Sequence, residues 1–219
     1  MTTTTKAKAH IIYKRQDGTR MPGVTTILGV LNKPALVKWA NNLGLQGIDS
    51  SKYRDEMADI GTLAHKMILD YFNSEKTDTS DYSKEQIDKA ENCLLSFYEW
   101  LKGHKIDVLL AEKPLVSEAH RYGGTIDCLC MLDGVLTLLD FKTGKAIYPE
   151  MLYQLAAYKE LLADKPTGLD VPDQCRILRI GRDSDEGFEE RLITDTSKYW
   201  ELFTHCLRIY ELQKEIKGA

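Results

Sequence analysis

Hydrophobic spacing in the N-terminal half of the chain is that of α-helices. From about residue 53 to residue 72, apolar side chains recur every three or four positions, which predicts one long helix. Residues 24–40 predict two short helices that meet at Pro34. The stretch Ser83-Lys-Glu-Gln86 is a capping-box pattern and begins a further helix, which Gly103 ends. This half of the chain is therefore expected to be helical.

The C-terminal half combines strand and helix patterns. Asp133-Gly134, between two apolar runs, is a strong signal for a two-residue hairpin turn. The elements predicted after position 105 are three strands, a helix, two strands and a helix, at residues 107–116, 125–132, 135–142, 151–163, 175–181, 187–193 and 197–216. With the helix that precedes them, this order predicts an α/β fold in which one sheet carries helices on its faces.

Length and composition place the chain among ordinary globular proteins. It has 219 residues, of which 43% are hydrophobic, and this length suits one domain. No apolar run approaches the roughly 20 residues of a membrane span, and the first residues lack the apolar core of a secretory signal. Five cysteines, an odd number without a CxxC pair, predict buried thiols in a reducing compartment. We therefore expect a cytoplasmic protein.

Charge is distributed unevenly along the sequence. The net charge is −4, from 29 Lys and Arg against 33 Asp and Glu, and this acidity argues at first against a nucleic-acid partner. Residues 1–40, however, contain seven basic residues and one acidic residue. For Lys6 and Lys8 we favour a solubilising tail. For residues 24–40, which have helical patterns, we favour a functional role over a solubilising one.

The residues with the chemistry of a reaction centre lie on the predicted hairpin. Asp140 and Lys142 are two apart on a strand, so they project from one side with Cα atoms roughly 6.6–7 Å apart. Asp127 lies on the neighbouring strand, roughly 4.8 Å away. Two converging aspartates favour a hard cation such as Mg²⁺. The alternative, a surface ion pair between Asp140 and Lys142, is less favoured because the flanking residues are apolar.

Three further residues are candidates on a weaker basis. Gln154 and Tyr158 are four apart in the following helix and share one face, which suggests a polar site just beyond the strands. Tyr158 alone would be explained by core packing. His65, on an earlier helix, would by itself be a core histidine with a satisfied hydrogen bond.

These residues together resemble a known nuclease family, the RecB-like branch of the PD-(D/E)XK nucleases. The ordered motifs that carry the resemblance are Gly61-x-x-x-His65, Gly124-Thr-Ile-Asp127, Leu139-Asp140-Phe-Lys142-Thr-Gly144 and Gln154-x-x-x-Tyr158. Outside them, Pro22-Gly-Val-Thr25, Glu112-Lys-Pro-Leu and the Tyr199-Trp200 helix are similar to the mitochondrial genome maintenance exonuclease group, with its phage and bacterial members. The resemblance implies a restriction-endonuclease-like core with a mixed central sheet, αβββαβ.

The resemblance also implies roles for the residues of a metal site. Asp127, Asp140 and the backbone carbonyl of Phe141 would bind one or two Mg²⁺ or Mn²⁺ ions. His65 would be an additional ligand, and its nitrogen makes Mn²⁺ an alternative to Mg²⁺. Lys142 would be the catalytic lysine.

Supporting roles follow from the same resemblance. Glu112 would act near the metal, and Gln154 and Tyr158 would orient the substrate or the carboxylates. Thr25 would lie near the scissile bond. No iron–sulfur cluster is expected, because only two of the five cysteines lie in the C-terminal region where that family's cluster has three.

The implied function is that of a metal-dependent exonuclease, a hydrolase of phosphodiester bonds in single-stranded DNA or at DNA ends. It would serve recombination, repair or DNA processing. A structure-specific, flap-type endonuclease with the same site is one alternative, and a catalytically inactive DNA-binding module is another. The relatives suggest a phage source, hence the host cytoplasm, and a recombination partner such as a single-strand-binding or annealing protein.

Candidate DNA contacts are aromatic and basic residues in or near the predicted loops. Stacking on bases would need aromatic side chains, with core packing as their alternative, and the phosphates would need cations. The candidates are Trp39, Tyr122, Tyr148, Lys38, Arg121 and Lys145. Within a single nuclease domain at 1–219 we expect a basic, partly flexible N-terminus at 1–20, a helical cap or arch at 21–105 and a catalytic core at 106–219.

Overall fold

A computed structural model describes residues 11–164 and 168–218 of the chain. Lys6 and Lys8, from the basic N-terminal segment, lie outside the described residues. The helices are α1 (Val24–Leu28), α2 (Pro34–Leu45), α3 (Ser50–Asn73), α4 (Lys84–Leu101), α5 (Pro149–Ala163) and α6 (Ser197–Gly218). The strands are β1 (Ile106–Ser117), β2 (Tyr122–Leu132), β3 (Val135–Lys142), β4 (Gln174–Ile180) and β5 (Phe188–Ile193). Within these ranges, no helix has both the length and the apolar composition to cross a bilayer.

The five strands form one mixed sheet in chain order, β1-β2-β3-β4-β5. The β3–β4 pair is parallel and the other three pairs are antiparallel. A parallel pair needs a crossover connection, and α5 provides it between β3 and β4. The α/β class, the mixed sheet and the expected αβββαβ succession, which runs from α4 to β4, are therefore confirmed.

Most element boundaries lie within one to three residues of those predicted, and two of the differences have a clear physical reason. Strand β2 begins at Tyr122 rather than at residue 125, because Gly123 and Gly124 pair with β1 although glycine is a poor strand former. Helix α2 continues to Leu45 instead of stopping near residue 40, and none of its residues is buried. Both differences arise where tertiary contacts or exposure override local propensity.

Helices cover both faces of the sheet, so the central strand β3 is buried on both sides. Leu138 belongs to the core shared with α1, α5 and α6, whereas its neighbour Leu139 belongs to the core shared with α3 and α4. This alternation is the two-residue period of a strand. Consequently β3 runs between two helical layers, and any polar residue at its end is enclosed from both sides.

The described part of the N-terminal segment is docked on β2. The ring of Tyr13 lies so close to Gly123 that an added Cβ there would approach the ring at 2.4 Å. The Tyr13 hydroxyl is 3.0 Å from Oγ1 of Thr125, and Gly23 forms a bridge with Gly123. The glycine at 123 is therefore required by a close approach between the segment and the sheet.

All five cysteines are buried free thiols, as predicted. Cys128 and Cys130 both belong to the core under α3 and α4, so they share one face of β2. Burial raises the pKa of the Cys93 thiol to about 12 and has the same effect on Cys175. These thiols behave as small apolar groups of the core.

Substitution of Gly124 by alanine is expected to destabilise the protein. A Cβ at this position would lie 2.5 Å from Cε1 of buried Tyr158 and 3.1 Å from Cδ1 of Leu161. Overpacking of this kind costs about 1–3 kcal/mol, or about 2–4 °C in Tm for each kcal/mol in a chain of this size. Thermal unfolding of G124A measures the loss. The control G44A places a Cβ in open space on a helix and should leave Tm unchanged or slightly raised; equal Tm values for both variants would contradict the packing argument.

Candidate active site

Asp140 and Lys142 occupy the C-terminal end of β3, where both helical layers enclose them. The Asp140 side chain is 1% exposed, and its Oδ2 lies 2.5 Å from Nζ of Lys142. The contact is an ion pair without the angles of a hydrogen bond, and neither carboxylate oxygen accepts a hydrogen bond from the described residues. Burial raises the pKa of Asp140 to about 6; Lys142 opposes this shift and Asp127 adds to it.

Lys142 is held as an ammonium ion. Burial alone would lower the pKa of its amine, but the carboxylates of Asp140 and Asp127 outweigh burial and raise it above the ordinary value. The predicted convergence of these three residues is therefore observed. An amine in this state stabilises negative charge or donates a proton, and it does not act as a base at neutral pH.

Asp127 takes its position from the point where the β2–β3 ladder ends. The pairing runs up to Cys128 opposite Leu139, so Asp127 is the next residue on its strand. In place of a further ladder bond, the backbone amide of Phe141 donates to Oδ2 of Asp127 at 2.8 Å. That bond fixes the carboxylate and leaves Oδ1 for other partners. The predicted role of the Phe141 carbonyl stays a prediction.

His65, Glu112 and Asp127 form a cluster of donor atoms that could hold a metal ion. Nδ1 of His65 is 3.7 Å from Oε1 of Glu112 and also 3.7 Å from Oδ1 of Asp127. One ligand atom from each residue lies within 4.8 Å of the others. Burial lowers the pKa of His65, but the two carboxylates reverse the shift and raise it overall. Imidazole nitrogen with carboxylate oxygen suits Mn²⁺, and the carboxylates alone suit Mg²⁺.

Gly61 explains how α3 brings His65 to this position. It lies one turn before His65, and a Cβ at residue 61 would be 3.0 Å from Oγ1 of Thr143, the residue after Lys142. The absence of a side chain therefore lets the helix lie against the end of β3. The His65 ring then meets Phe141 edge to face, with centroids 6.0 Å apart. The sequence spacing Gly61-x-x-x-His65 thus has a packing cause.

Glu112 reaches the cluster through an unusual backbone conformation. The β1–β2 register shifts between Val108 and Leu110, and Glu112 has φ 46°, in the left-handed region. This conformation is rare for residues other than glycine and costs roughly 1–2 kcal/mol. Glu112 adopts this conformation within a strand, and strained residues of this kind cluster at functional sites. The resemblance implied only a supporting role near the metal, whereas the structure places the Glu112 carboxylate beside His65.

Gln154 and Tyr158 form a hydrogen-bonded pair on α5, on one face as the spacing predicted. Nε2 of Gln154 donates to the Tyr158 hydroxyl at 2.7 Å. Burial, then Asp140 and Asp127, raises the pKa of Tyr158 well above its usual range, so the phenol is protonated beside these carboxylates. Because the hydroxyl accepts the bond from Gln154, its own proton is directed elsewhere. The pair therefore contributes a fixed donor near the two aspartates.

A groove of about 830 Å³ opens beside the end of β3. Three aromatic residues and three cations contribute to its walls, and no Asp or Glu is among the described residues that line it, although Arg54 is paired with Asp55 at 3.1 Å. The aromatic residues are Trp39, Tyr53 and Tyr148, and the cations are Arg54, Lys145 and Arg182. Trp39 and Tyr53 lie 6.1 Å apart with tilted rings. The surface next to the carboxylates is therefore cationic and aromatic, although the whole chain is acidic.

The predicted DNA contacts fall into different parts of the structure. Trp39, Tyr148 and Lys145 line the groove and are exposed or nearly so. Tyr122 is wrong as a stacking residue: it is fully buried, and its hydroxyl donates to the carbonyl of Ala157 at 2.8 Å. Core packing, the alternative for this residue, holds because β2 begins early and directs the ring beneath α5 and α6.

Three other predicted contacts are exposed but do not line the groove. Thr25 is on α1, Lys38 is on α2, and Arg121 is in the β1–β2 turn with φ 57°. Of the basic residues in 24–40, Lys33 is already paired with Glu150 at 2.8 Å. The groove cations thus come from other segments than the basic N-terminal one.

Tyr53, Arg54 and Arg182 line the groove but were not among the predicted contacts. Tyr53 and Gly61 are eight positions apart on α3, about 80° around the helix, so both face the groove, and this spacing was a usable signal. Arg182 follows β4 in what the sequence indicates only as a turn, and no local pattern marks it.

Comparisons with known proteins give structural neighbours only. No family model and no curated protein matches the chain. The crystal structure of a protein from Eubacterium rectale that has been proposed to be an exonuclease aligns with 70% of this chain, at 14% sequence identity and a TM-score of 0.45. The match spans 65% of that protein, slightly less than two thirds of its length. A second crystal structure is that of LHK-Exo, the alkaline exonuclease of Laribacter hongkongensis, in complex with dAMP. The alignment covers 74% of this chain and 88% of the LHK-Exo chain, at 14% sequence identity and a TM-score of 0.39. Similarities of this size establish neither a family nor a function.

Proposed function

We propose that this protein is a metal-dependent exonuclease that hydrolyses phosphodiester bonds in single-stranded DNA or at DNA ends. One observation carries the proposal: the donor cluster of His65, Glu112 and Asp127 adjoins a buried Asp140–Lys142 pair. Carboxylates that converge beside a lysine and a cationic groove suit a reaction at an anionic phosphate. The comparisons add no weight to it.

The donor set fits a divalent cation. Two carboxylates approach one imidazole, and Asp140 nearby has two buried oxygens without hydrogen bonds. Buried carboxylates without enough donors are costly, and a cation beside them offsets that cost. His65, Glu112 and Asp127 would hold the ion, and Asp140 lies close enough for Asp127 to raise and His65 to lower its own pKa. Mg²⁺ and Mn²⁺, as one or two ions, both remain in the proposal.

Hydrolysis adds water across the bond between phosphorus and the 3′-oxygen. The water oxygen bonds to phosphorus, the 3′-oxygen leaves and takes a proton, and the products carry a 5′-phosphate and a 3′-hydroxyl. A bound divalent cation supplies positive charge at the phosphate and lowers the pKa of a water there. The Lys142 ammonium stabilises the charge that develops on the phosphate oxygens. The Tyr158 phenol, held by Gln154 near the two aspartates, would orient the substrate.

The groove supports a single strand as the substrate. Unpaired bases present faces that stack on aromatic rings, and the backbone follows cations. Trp39, Tyr53 and Tyr148 supply rings at the groove, next to Lys145 and Arg182. A flap-type endonuclease would use the same residues, so product analysis has to separate the two activities.

Removal of the charged pair at the end of β3 is expected to abolish cleavage. With end-labelled single-stranded DNA and Mg²⁺ or Mn²⁺, D140N and K142M should each lower the rate by at least about a hundredfold, because each removes charge at the reacting phosphate. D107N and K105Q are matched controls, since both residues are exposed near the other end of the sheet. Cleavage that persists in D140N and K142M, or in EDTA, would exclude the proposed site; a wild type that binds DNA without cleaving it would favour the inactive module.

Circular single-stranded DNA separates exonuclease from endonuclease. An exonuclease requires an end, so the circle should stay intact under conditions that degrade the linear strand of the same sequence. A linear RNA strand added in parallel reports discrimination at the sugar. Gel analysis that shows linearised circles would replace the exonuclease by the endonuclease alternative.

Glu112 is expected to lower the free energy of unfolding of the metal-free protein and to strengthen the binding of a metal ion. In E112G the left-handed backbone is relieved and one negative charge is removed, so the metal-free protein should gain up to about 1 kcal/mol. Urea unfolding in EDTA measures this gain. E112Q keeps the strained conformation and should gain less.

Both Glu112 variants should bind Mn²⁺ more weakly than wild type in calorimetric titration. D127N serves as a comparison, because an amide oxygen can still accept the bond from the Phe141 amide while the charge is lost. Wild-type Mn²⁺ affinity in E112G would remove Glu112 from the proposed ligands.

A further inference from the structure

The fold holds the guanidinium of Arg182 in place but gives it no carboxylate partner among the described residues. Its backbone is fixed from two sides: its amide donates to Oε2 of Glu186 at 2.9 Å, and its carbonyl accepts from Nδ2 of Asn92 at 2.9 Å. Its side chain makes no ion pair with the described residues. Nε is buried and lacks a hydrogen-bond partner there. A partly buried cation without a carboxylate partner is costly, and an anion at its terminal nitrogens would offset that cost.

The guanidinium points to the end of the catalytic strand. Its NH2 group donates to Oγ1 of Thr143 at 3.3 Å, and Thr143, which is 8% exposed, directly follows Lys142. Because the hydroxyl accepts this bond, its own proton is available to a further acceptor. Thr143 thereby joins the Arg182 side chain to the Asp140–Lys142 strand end.

Arg182, Thr143 and Lys145 line a small recess of about 70 Å³ as well as the larger groove. Lys145 is exposed and has no ion pair among the described residues. Asp183 and Glu186 also border the recess, but Oε2 of Glu186 already accepts from two backbone amides. The recess therefore presents a guanidinium, a hydroxyl and an ammonium to one volume, with the Asp183 carboxylate at its border.

We infer that Arg182, Thr143 and Lys145 form a phosphate-binding subsite that anchors the nucleic-acid strand next to the scissile phosphate. The inference deepens the proposed function and rests on it for the identity of the strand. The terminal N–H groups of a guanidinium suit phosphate oxygens, and the bond to Thr143 fixes the plane in which they lie. The Thr143 hydroxyl and the Lys145 ammonium supply the remaining donors. Arg182 is in this role a positioning residue, and the chemistry stays with Asp140 and Lys142.

The test measures binding in EDTA, where cleavage does not occur. A short fluorescent oligothymidylate is titrated by anisotropy over a series of salt concentrations. R182Q should bind roughly tenfold more weakly, since a charge-assisted hydrogen bond is lost, and the slope of log K against log salt should fall by about 0.7 for a lost single-strand phosphate contact. R182K keeps the charge without the fork and should recover part of the affinity.

Two further variants separate binding from folding. K145Q, at an exposed residue, should weaken binding without a change in Tm, so it reports on the subsite even where R182Q is destabilised. K105Q, near the far end of the sheet, loses the same charge and should bind like wild type. Unchanged affinity and salt slope in folded R182Q and K145Q would overturn the subsite, and so would a wild type that does not bind the oligonucleotide.

Separate experiments identify which phosphate binds at the subsite and whether the protein is a nuclease. Oligonucleotides with and without a 5′-phosphate distinguish a terminal phosphate from an internal phosphodiester. If R182Q weakens binding only of the 5′-phosphorylated oligonucleotide, the subsite binds the terminal phosphate. In Mg²⁺, R182Q should raise KM with little change in kcat, whereas D140N lowers kcat. Arg182-dependent binding without any wild-type cleavage would keep the subsite and reject the nuclease.

Discussion

The burial of the Asp140 carboxylate at the end of β3 is the constraint from which the rest of the site follows. A central strand covered on both faces ends in a group that is 1% exposed and accepts no hydrogen bond among the described residues. Desolvation raises its pKa to about 6, so the charge is retained only because compensation lies nearby. Lys142 supplies one positive charge, but Asp127 adds a further negative one. The site is thus left with an excess of carboxylate that a divalent cation would offset.

The same constraint explains the unusual backbone positions around the site. Gly61 lets α3 lie against Thr143, and Gly124 leaves room for the Tyr158 ring beside the carboxylates. Glu112 adopts a left-handed conformation and brings one more carboxylate to His65. Each arrangement gives up local stability, through glycine in a regular element or through strain at a glutamate, and each places a group at the end of β3. Local stability is lower at the end of β3 because the fold holds several carboxylates close together there against their mutual repulsion.

Sequence patterns were sufficient for the elements and for the central residues of the site. Strand alternation puts Asp140 and Lys142 on one side, and the Asp133-Gly134 turn brings Asp127 opposite, because a two-residue hairpin fixes register. They were not sufficient where tertiary contacts decide. A positive φ at Glu112 has no local signal, and Tyr122 looked like a loop residue although the first residues of β2 pair with β1. Arg182 is marked by nothing nearby, since its environment is assembled from α4, β3 and the turn after β4.

Charge shows the same limit most clearly. The basic N-terminal segment suggested that DNA would follow it to the site, although the net charge of −4 argued against a nucleic-acid partner. Yet Lys33 is neutralised by Glu150, a residue 117 positions away, while the groove takes its cations from α3 and from the residues after β3 and β4. The electrostatic potential at a site is set by charges within a few ångströms, because charges beyond a Debye length of about 8 Å are screened. Arg54 is paired with Asp55, but Lys145 and Arg182 have no ion pair among the described residues, so the groove is cationic where a phosphate would bind although the whole chain is acidic.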